Sequence, residues 1–297
     1  MTHQIKSAML DYAPNPVASL AVRLWGDISV SQLGRAARNQ GDSPDLIAML
    51  ESYFDESADP KRERFVACGG FIGTETQWDG FELLWMHATR ELKNPFHATD
   101  CECQHGEFAD WPKPKCDALM AELVSISIKQ ELAGYAAVVP IADFKAVYPN
   151  SHEYDPFYLA VRQVIANMAH IASLIDERMK FWFEENPATQ GKTNQIYLDM
   201  KSRRDWVNRD RLAGIGFIEK KVLRMQSGDL LAREAFKHLD NMNVRATRKP
   251  IQRLAKRIGF SAWTREALEA LRAIGGPENL NYFISGDAVK DLKKLED

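Results

Sequence analysis

The feature that most constrains the fold is an alternation of short apolar strands and amphipathic helices that begins at Leu46. Residues 46–54 and 65–72 are apolar runs joined by a polar segment, and glycines close the second run, which predicts a β-hairpin. Downstream, helical spacing of apolar residues alternates with further strand-sized runs. This order predicts an α/β fold in which helices flank a mixed sheet.

The pattern divides the chain into three parts. Residues 1–47 hold scattered prolines and glycines without sustained periodicity and are expected to form a poorly ordered N-terminal extension with one short helix at 31–39. Residues 48–260 form the expected main domain, and residues 261–297 a helical C-terminal tail. Within these parts, strands are predicted at 135–141, 180–185 and 212–218, and helices at 76–92, 116–132, 154–175, 192–206, 229–239 and 264–274.

Composition excludes several classes of protein. With 45% hydrophobic and 27% charged residues, the chain resembles an ordinary globular domain and not a disordered or disulfide-dense one. No apolar run approaches the roughly 20 residues that a membrane-spanning helix needs, so we expect no membrane partner. Four cysteines, of which Cys101 and Cys103 are too close for an easy bridge, predict a cytoplasmic protein with free thiols.

Positive charge is concentrated in one part of the chain. Between Lys201 and Arg257, 16 Lys and Arg stand against 6 Asp and Glu, a local net charge of +10, whereas the rest of the chain carries -13 of the total of -3. A basic region on an acidic protein is a plausible contact surface for a phosphate backbone. The alternative is a set of solvated helix faces with local ion pairs.

Three carboxylates occur where buried elements are expected to end or begin. Asp55 ends the first predicted strand, Glu184 ends an aromatic strand, and Asp229 opens an apolar helix. Convergence at one edge of the sheet would require a positive charge between them, because unpaired buried carboxylates are costly. Oxygen ligands of this kind suit Mg²⁺. Taken singly, each acid is better explained as a turn residue, and Asp229 as a helix N-cap.

Six sequence blocks then resemble the domain-of-unknown-function 3800 family, in the family's order and over about residues 48–260. The blocks are YFDES at 53–57, CGGFI at 68–72, FHATD at 96–100, FWFEE at 181–185, GFIEKK at 216–221 and MQSGDLLARE at 225–234. The chain departs from the family pattern at Ala58 and Gly228, where relatives usually have glycine and alanine, and at Glu184, which is often aspartate. The resemblance implies a ribonuclease-H-like fold and a metal-dependent nuclease.

The resemblance also implies roles for individual residues. Asp55, Glu184 and Asp229 match the family's acidic positions and would hold two Mg²⁺ or Mn²⁺ ions on the scissile phosphate, with Asp55 as the bridging ligand. His97 and Asp100 match its histidine-aspartate loop. His97 would position the attacking water or protonate the leaving oxygen. Asp100 would orient His97 or add a ligand.

Neighbouring residues complete the expected site. Glu56 and Glu185 alternate to the opposite strand face from Asp55 and Glu184 and are therefore less favoured as ligands. Lys220, Lys221 and Arg224 come directly after the strand that precedes Asp229, and we expect them to contact the phosphates of nucleic acid. Simple solvated lysines remain the alternative for Lys220 and Lys221.

A zinc site is an alternative for the loop that contains His97. That loop and the start of the next helix contain enough soft ligands, namely His97, Cys101, Cys103, His105 and Cys116. Their spacing is not that of a familiar zinc knuckle, and free thiols are favoured over a bound metal.

Two functions remain open from the sequence. The first is a Mg²⁺- or Mn²⁺-dependent nuclease, a hydrolase that cleaves phosphodiester bonds of DNA or RNA. The second is a catalytically inactive ribonuclease-H-like scaffold that binds nucleic acid or protein. Convergence of Asp55, Glu184 and Asp229 on one point favours the enzyme, and their separation favours the scaffold.

Overall fold

A seven-stranded mixed sheet forms the centre of the molecule. The computed structural model describes residues 22–23, 49–150, 154–242 and 244–280. The strands are Val22–Arg23 (β1), Met49–Ala58 (β2), Phe65–Gly73 (β3), Ala133–Pro140 (β4), Arg178–Glu184 (β5), Leu212–Ile218 (β6) and Ile258–Ala262 (β7). Their order across the sheet is β1-β7-β4-β3-β2-β5-β6. The mixed α/β architecture predicted from the sequence is therefore confirmed.

Strand directions change across the sheet. β2, β3 and β4 form an antiparallel meander, whereas β5 runs parallel to β2 and β6 parallel to β5. On the other side, β7 is parallel to β4 and β1 is antiparallel to β7. Because β2 and β5 are parallel, the C-terminal half of β2 and the end of β5 lie at the same edge of the sheet.

Helices cover both faces of this sheet. They are Glu75–Ala88 (α1), Ala98–Cys103 (α2), Lys113–Lys129 (α3), Ile141–Val147 (α4), Pro156–Leu174 (α5), Gln190–Ser202 (α6), Leu223–Asn241 (α7), Lys249–Leu254 (α8) and Arg265–Ala273 (α9). One core lies between the sheet and α4, α5, α6 and α9, and the other between the sheet and α1, α2, α3, α7 and α8. None of the helices described combines the length and apolar composition needed to cross a membrane.

The hairpin of β2 and β3 is closed by a buried aspartate. Both carboxylate oxygens of Asp59 accept backbone hydrogen bonds, from the Glu63 N–H at 3.1 Å and the Arg64 N–H at 3.0 Å. Arg62 adopts a left-handed conformation in the turn, with φ of 50°. The polar segment predicted between the two strands thus forms the turn. In this turn, hydrogen bonds to the Asp59 side chain replace the backbone hydrogen bonds of the β2–β3 ladder.

Two predicted element boundaries near the candidate site are wrong. Helix α7 begins at Leu223, so Asp229 lies in its interior and does not open it. Strand β2 continues to Ala58, so Asp55 does not end it. Asp55 does stand at a real discontinuity, because the β2–β5 ladder stops at the pair of Phe54 and Phe183. Beyond that pair, β2 is hydrogen-bonded to β3 alone.

The boundary predicted after residue 260 also falls inside the sheet. Strand β7 spans it, and the side chains of Ala267, Leu268 and Leu271 in α9 are buried in the core. Strand β1 pairs with β7, so part of the expected N-terminal extension belongs to the sheet as well. The helix expected at 31–39 and residues 281–297 lie outside the described residues.

Glycine allows α7 to approach the sheet closely. A Cβ added at Gly228 would lie 2.9 Å from the backbone nitrogen of Asp55 and 3.1 Å from the carbonyl carbon of Phe54. Both are strand backbone atoms that cannot rotate away. A second contact of this kind occurs where Gly69 of β3 faces the backbone of Ala232 at 2.9 Å. The short distance between α7 and the sheet is therefore possible because Gly228 and Gly69 have no side chain.

We expect Gly228→Ala to destabilise the fold, because the added methyl group must push α7 away from β2. Overpacking of this kind typically costs about 1–3 kcal/mol, and urea unfolding measures it. The matched control is Gly191→Ala in α6, where an added Cβ meets nothing within 4 Å. That change should leave stability equal or raise it by up to about 1 kcal/mol. Equal stability of Gly228→Ala and wild type would contradict the close approach.

Candidate active site

The structure brings the three predicted carboxylates together. Asp55 comes from β2, Glu184 from the end of β5 and Asp229 from α7, on the face of the sheet that α7 covers. They surround the ammonium of Lys220, whose Nζ lies 3.2 Å from Asp55 Oδ2, 3.0 Å from Glu184 Oε2 and 3.7 Å from Asp229 Oδ1. We call these four residues the carboxylate cluster.

Burial differs among the members of the carboxylate cluster. The side chains of Asp55 and Asp229 are only 3% and 5% exposed, whereas Glu184 and Lys220 are 25% and 20% exposed. Asp55 Oδ1 accepts the backbone N–H of Glu56, but the buried Oδ2 accepts no hydrogen bond. Its contact with Lys220 is therefore ionic. The cluster is closed on the side of the two aspartates and open on the side of Glu184.

The electrostatics follow from this burial. Desolvation raises the pKa of Asp55 well above its usual range, Lys220 opposes that rise, and the charges of Asp229 and Glu184 add to it. Burial alone would lower the pKa of Lys220, but its three carboxylate neighbours outweigh burial and raise it. The ammonium thus stays charged at neutral pH, and the carboxylates depend on it.

His97 and Asp100 extend the carboxylate cluster towards solvent. His97 precedes α2, and its Nε2 lies 3.8 Å from Asp229 Oδ1 while its Nδ1 lies 3.2 Å from Asp100 Oδ2. Both side chains are more than a third exposed. The first residue of α2, Ala98, donates its backbone N–H to Asp229 Oδ2 at 2.6 Å. All five predicted catalytic residues therefore lie in one neighbourhood.

Gln226 is a buried residue of the site to which sequence reasoning assigned no role. Its Oε1 accepts hydrogen bonds from Trp85 Nε1 at 2.8 Å and from the Phe96 N–H at 3.3 Å. Its Nε2 donates to the carbonyl oxygen of Lys220 at 3.1 Å. One amide thus ties the segment that leads to His97 to the turn that carries Lys220. Its position three residues before Asp229, on the same helix face, was the available signal.

A second polar network holds α2 on α7. Glu102 of α2 accepts hydrogen bonds from Arg233 at 2.7 Å and from Arg248 at 2.6 Å. Arg248 also pairs with Glu234, which is fully buried. Because α2 follows His97 directly, these pairs also fix the loop that carries the histidine.

The residues expected to contact phosphates are engaged elsewhere. Lys220 belongs to the carboxylate cluster, and exposed Lys221 pairs with Glu219 at 2.8 Å. Arg224 is largely buried and forms ion pairs of 2.9–3.2 Å with four carboxylates, those of Glu51, Glu75, Asp79 and Glu82. In this arrangement Lys220 and Arg224 neutralise the protein's own acids. The local excess of positive charge in the sequence is therefore partly consumed inside the fold.

Acids on the opposite strand face are separate from the carboxylate cluster. Glu56 lies on the α5 side of the sheet with Phe54, where it pairs with Arg62 at 3.1 Å and accepts a hydrogen bond from Asn186 at 3.3 Å. Glu56 and Asn186 line a small cleft where β2 and β5 diverge, together with Phe54, Asp55 and Glu184. Strand alternation separated Glu56 from Asp55 as the sequence analysis predicted.

The cysteines near His97 form no metal centre in this structure. All four cysteines of the chain are free; Cys101 and Cys116 are buried, and Cys103 is exposed. In the described ranges, no group of three or more His, Cys, Asp or Glu side chains is arranged to hold a metal ion. The oxygens of the three carboxylates lie 3.0–3.7 Å from the Lys220 ammonium in this arrangement.

Comparison with known proteins adds no relative. No family model matches the chain, and no curated protein matches it in sequence. The resemblance to the domain-of-unknown-function 3800 family, and the activity that it implies, therefore stay predictions.

We expect Lys220→Gln to make stability strongly dependent on pH. Without the ammonium, the pKa of Asp55 rises further, so the folded chain keeps a proton that the unfolded chain releases above a pKa of about 3.9. The free energy of unfolding must then fall as pH rises through the interval between the two pKa values. The expected loss relative to wild type is about 3 kcal/mol at pH 8 and less at pH 5.

Urea unfolding at the two pH values measures this effect, with Lys221→Gln as the matched control. Lys221 is exposed and pairs only with Glu219 in the structure, so its loss should change stability by less than about 0.5 kcal/mol at either pH. A Lys220→Gln protein as stable as wild type at pH 8 would show that the carboxylates do not depend on the ammonium.

Proposed function

We propose that the protein is a divalent-metal-dependent nuclease with a ribonuclease-H-like domain, which hydrolyses phosphodiester bonds of DNA or RNA. The observation that carries this proposal is the convergence of Asp55, Glu184 and Asp229, which lie far apart in the sequence, on a single point. Three acids in a shared, mostly buried site are costly for stability. Such a cost is typical of functional sites.

The sheet supports the fold part of the proposal. Counted from β2, the strands form a three-stranded antiparallel meander, and two parallel strands, β5 and then β6, extend the sheet beyond the first strand of that meander. This is the strand order expected of a ribonuclease-H-like sheet. The acids lie on the first and fourth strands of that set and on the helix that follows the fifth.

The donor set fits a hard divalent cation. Asp55, Glu184 and Asp229 supply carboxylate oxygens, which Mg²⁺ and Mn²⁺ prefer. Asp55 Oδ2 is buried and has no hydrogen-bond partner; its contact is the ionic one with Lys220 Nζ at 3.2 Å. A bound ion would lower the pKa of a coordinated water and polarise the scissile phosphate. The three carboxylates of this pocket already have one positively charged partner, the ammonium of Lys220.

The protein's own groups provide the remaining chemistry. In hydrolysis a water oxygen forms a new bond to phosphorus, the bond from phosphorus to the leaving sugar oxygen breaks, and a proton moves from the water to that oxygen. His97 carries protons in this exchange through Nε2, which lies 3.8 Å from Asp229 Oδ1. Asp100 Oδ2 lies 3.2 Å from the ring Nδ1 of His97, where its charge would favour a protonated ring, and the Ala98 N–H donates to Asp229 Oδ2.

The inactive scaffold remains the second candidate because of a specific observation. Lys220 contacts all three carboxylates and can serve as their permanent counterion. In that case the carboxylate cluster is a structural ion network that fixes α7 on the sheet. A scaffold of this kind would be stably folded but would not cleave nucleic acid.

We expect Asp55→Asn to abolish Mn²⁺- and Mg²⁺-dependent cleavage while the protein stays folded, because an amide keeps the shape of the side chain but loses the anionic ligand. The assay uses labelled single- and double-stranded DNA and RNA, with each metal ion and with chelator. Asp117→Asn is the control, since Asp117 is an exposed acid on α3 that pairs with Lys113. Its activity should equal that of wild type.

Two results would contradict the nuclease. Full cleavage by Asp55→Asn would show that the carboxylate cluster is not the active site. Absence of cleavage by wild type on all four substrates with both ions would favour the scaffold, and circular dichroism establishes that the samples are folded.

A further inference from the structure

The ammonium of Lys220 does not neutralise all of the negative charge of the carboxylate cluster. Asp55, Glu184 and Asp229 are three acids, and Lys220 is the cation that contacts all of them. When the acids are ionised, a net charge of -2 remains in a mostly buried space. One divalent cation would neutralise it. A second divalent cation would leave the same space with an excess of positive charge, and buried like charges repel strongly.

The ammonium also occupies the space that a second ion needs. In two-metal sites the ions lie about 3.5–4 Å apart and share a bridging carboxylate. Here the carboxylate at the expected bridging position, Asp55, already contacts Nζ through Oδ2. The oxygen least engaged by the ammonium is Asp229 Oδ1, at 3.7 Å, and it lies 3.8 Å from His97 Nε2.

Lys220 is held in this position by the fold. It lies in the short turn between β6 and α7, and its carbonyl oxygen accepts a hydrogen bond from buried Gln226. The turn is also bound from within, because the Val222 N–H donates to the Glu219 carbonyl. A lysine with a fixed backbone and a side chain that is only 20% exposed is built into the site and is not a mobile surface cation.

We infer that Asp55, Glu184 and Asp229 hold one divalent cation beside the Lys220 ammonium, which takes the role of the second cation. This inference rests on the proposed nuclease function and specifies its metal requirement. Lys220 acts by charge alone: it stays protonated, transfers no proton, and stabilises the negative charge that develops on the phosphate oxygens and the leaving oxygen.

The test is the number of Mn²⁺ ions that the full chain binds, measured by electron paramagnetic resonance during titration. Wild type should bind one Mn²⁺ with an uncoupled signal. Lys220→Gln should bind two ions that are magnetically coupled, because removal of the ammonium frees both charge and space. Lys220→Arg keeps the charge and should bind one ion, as should the exposed control Lys221→Gln.

The outcomes separate this inference from the proposed function. Two coupled ions in wild type, or a single ion in folded Lys220→Gln, would overturn the role of Lys220, whereas metal-dependent cleavage by wild type would still uphold the nuclease. No bound ion together with no cleavage would overturn both. If Lys220→Gln does not fold, the stoichiometries of wild type and Lys220→Arg decide, because two ions in either one contradict the inference.

Discussion

The site depends on the attraction between one ammonium and three carboxylates that the fold removes from water. Burial raises the free energy of Asp55 as an anion, and the charges of Asp229 and Glu184 add to this cost. The Lys220 ammonium offsets this cost from the centre. Other features follow from the need to keep it there, above all the hydrogen bond from Gln226 to the backbone of Lys220. The chain segments around the carboxylate cluster are therefore connected through charge as well as through packing.

Helix α7 repeats this arrangement along its length. Near its start, Arg224 is the cation and four acids from β2 and α1 surround it, while further along buried Glu234 is the anion and Arg248 its partner. Burial raises the pKa of Glu234 although Arg248 opposes the rise. Helix α7 lies in a core and carries charges of both signs, so it needs ion-pair partners from several other elements. Those partners specify its position. Asp229 is accordingly fixed by contacts at both ends of its helix.

The positions of the acids could be predicted from the sequence, whereas several element boundaries could not. Both outcomes have a physical reason. Alternation along β2 distinguishes Asp55 from Glu56, and Glu184 does end β5, so both acids could be assigned to a face and an edge. The start of α7 was missed because its first turns contain Gly228 and polar residues that pair with distant partners. Strand β7 was missed because it is only five residues long and contains Gly259, a residue type that is depleted in strands. The position of Lys220 could not be predicted, because it depends on where three distant acids converge.

Gly228 and Glu184 contribute to the carboxylate cluster in related ways. Without a methyl group at 228, α7 lies against the backbone of Asp55, and the next residue on the helix is the acid that completes the carboxylate cluster. Glu184, longer by one methylene than aspartate, comes from the end of β5 and reaches the ammonium at 3.0 Å, the shortest of the three contacts. An alanine at 228 would move Asp229 outward, and an aspartate at 184 would shorten the reach from β5. Both residues of this chain thus favour convergence, and a lysine can balance three acids only where they converge.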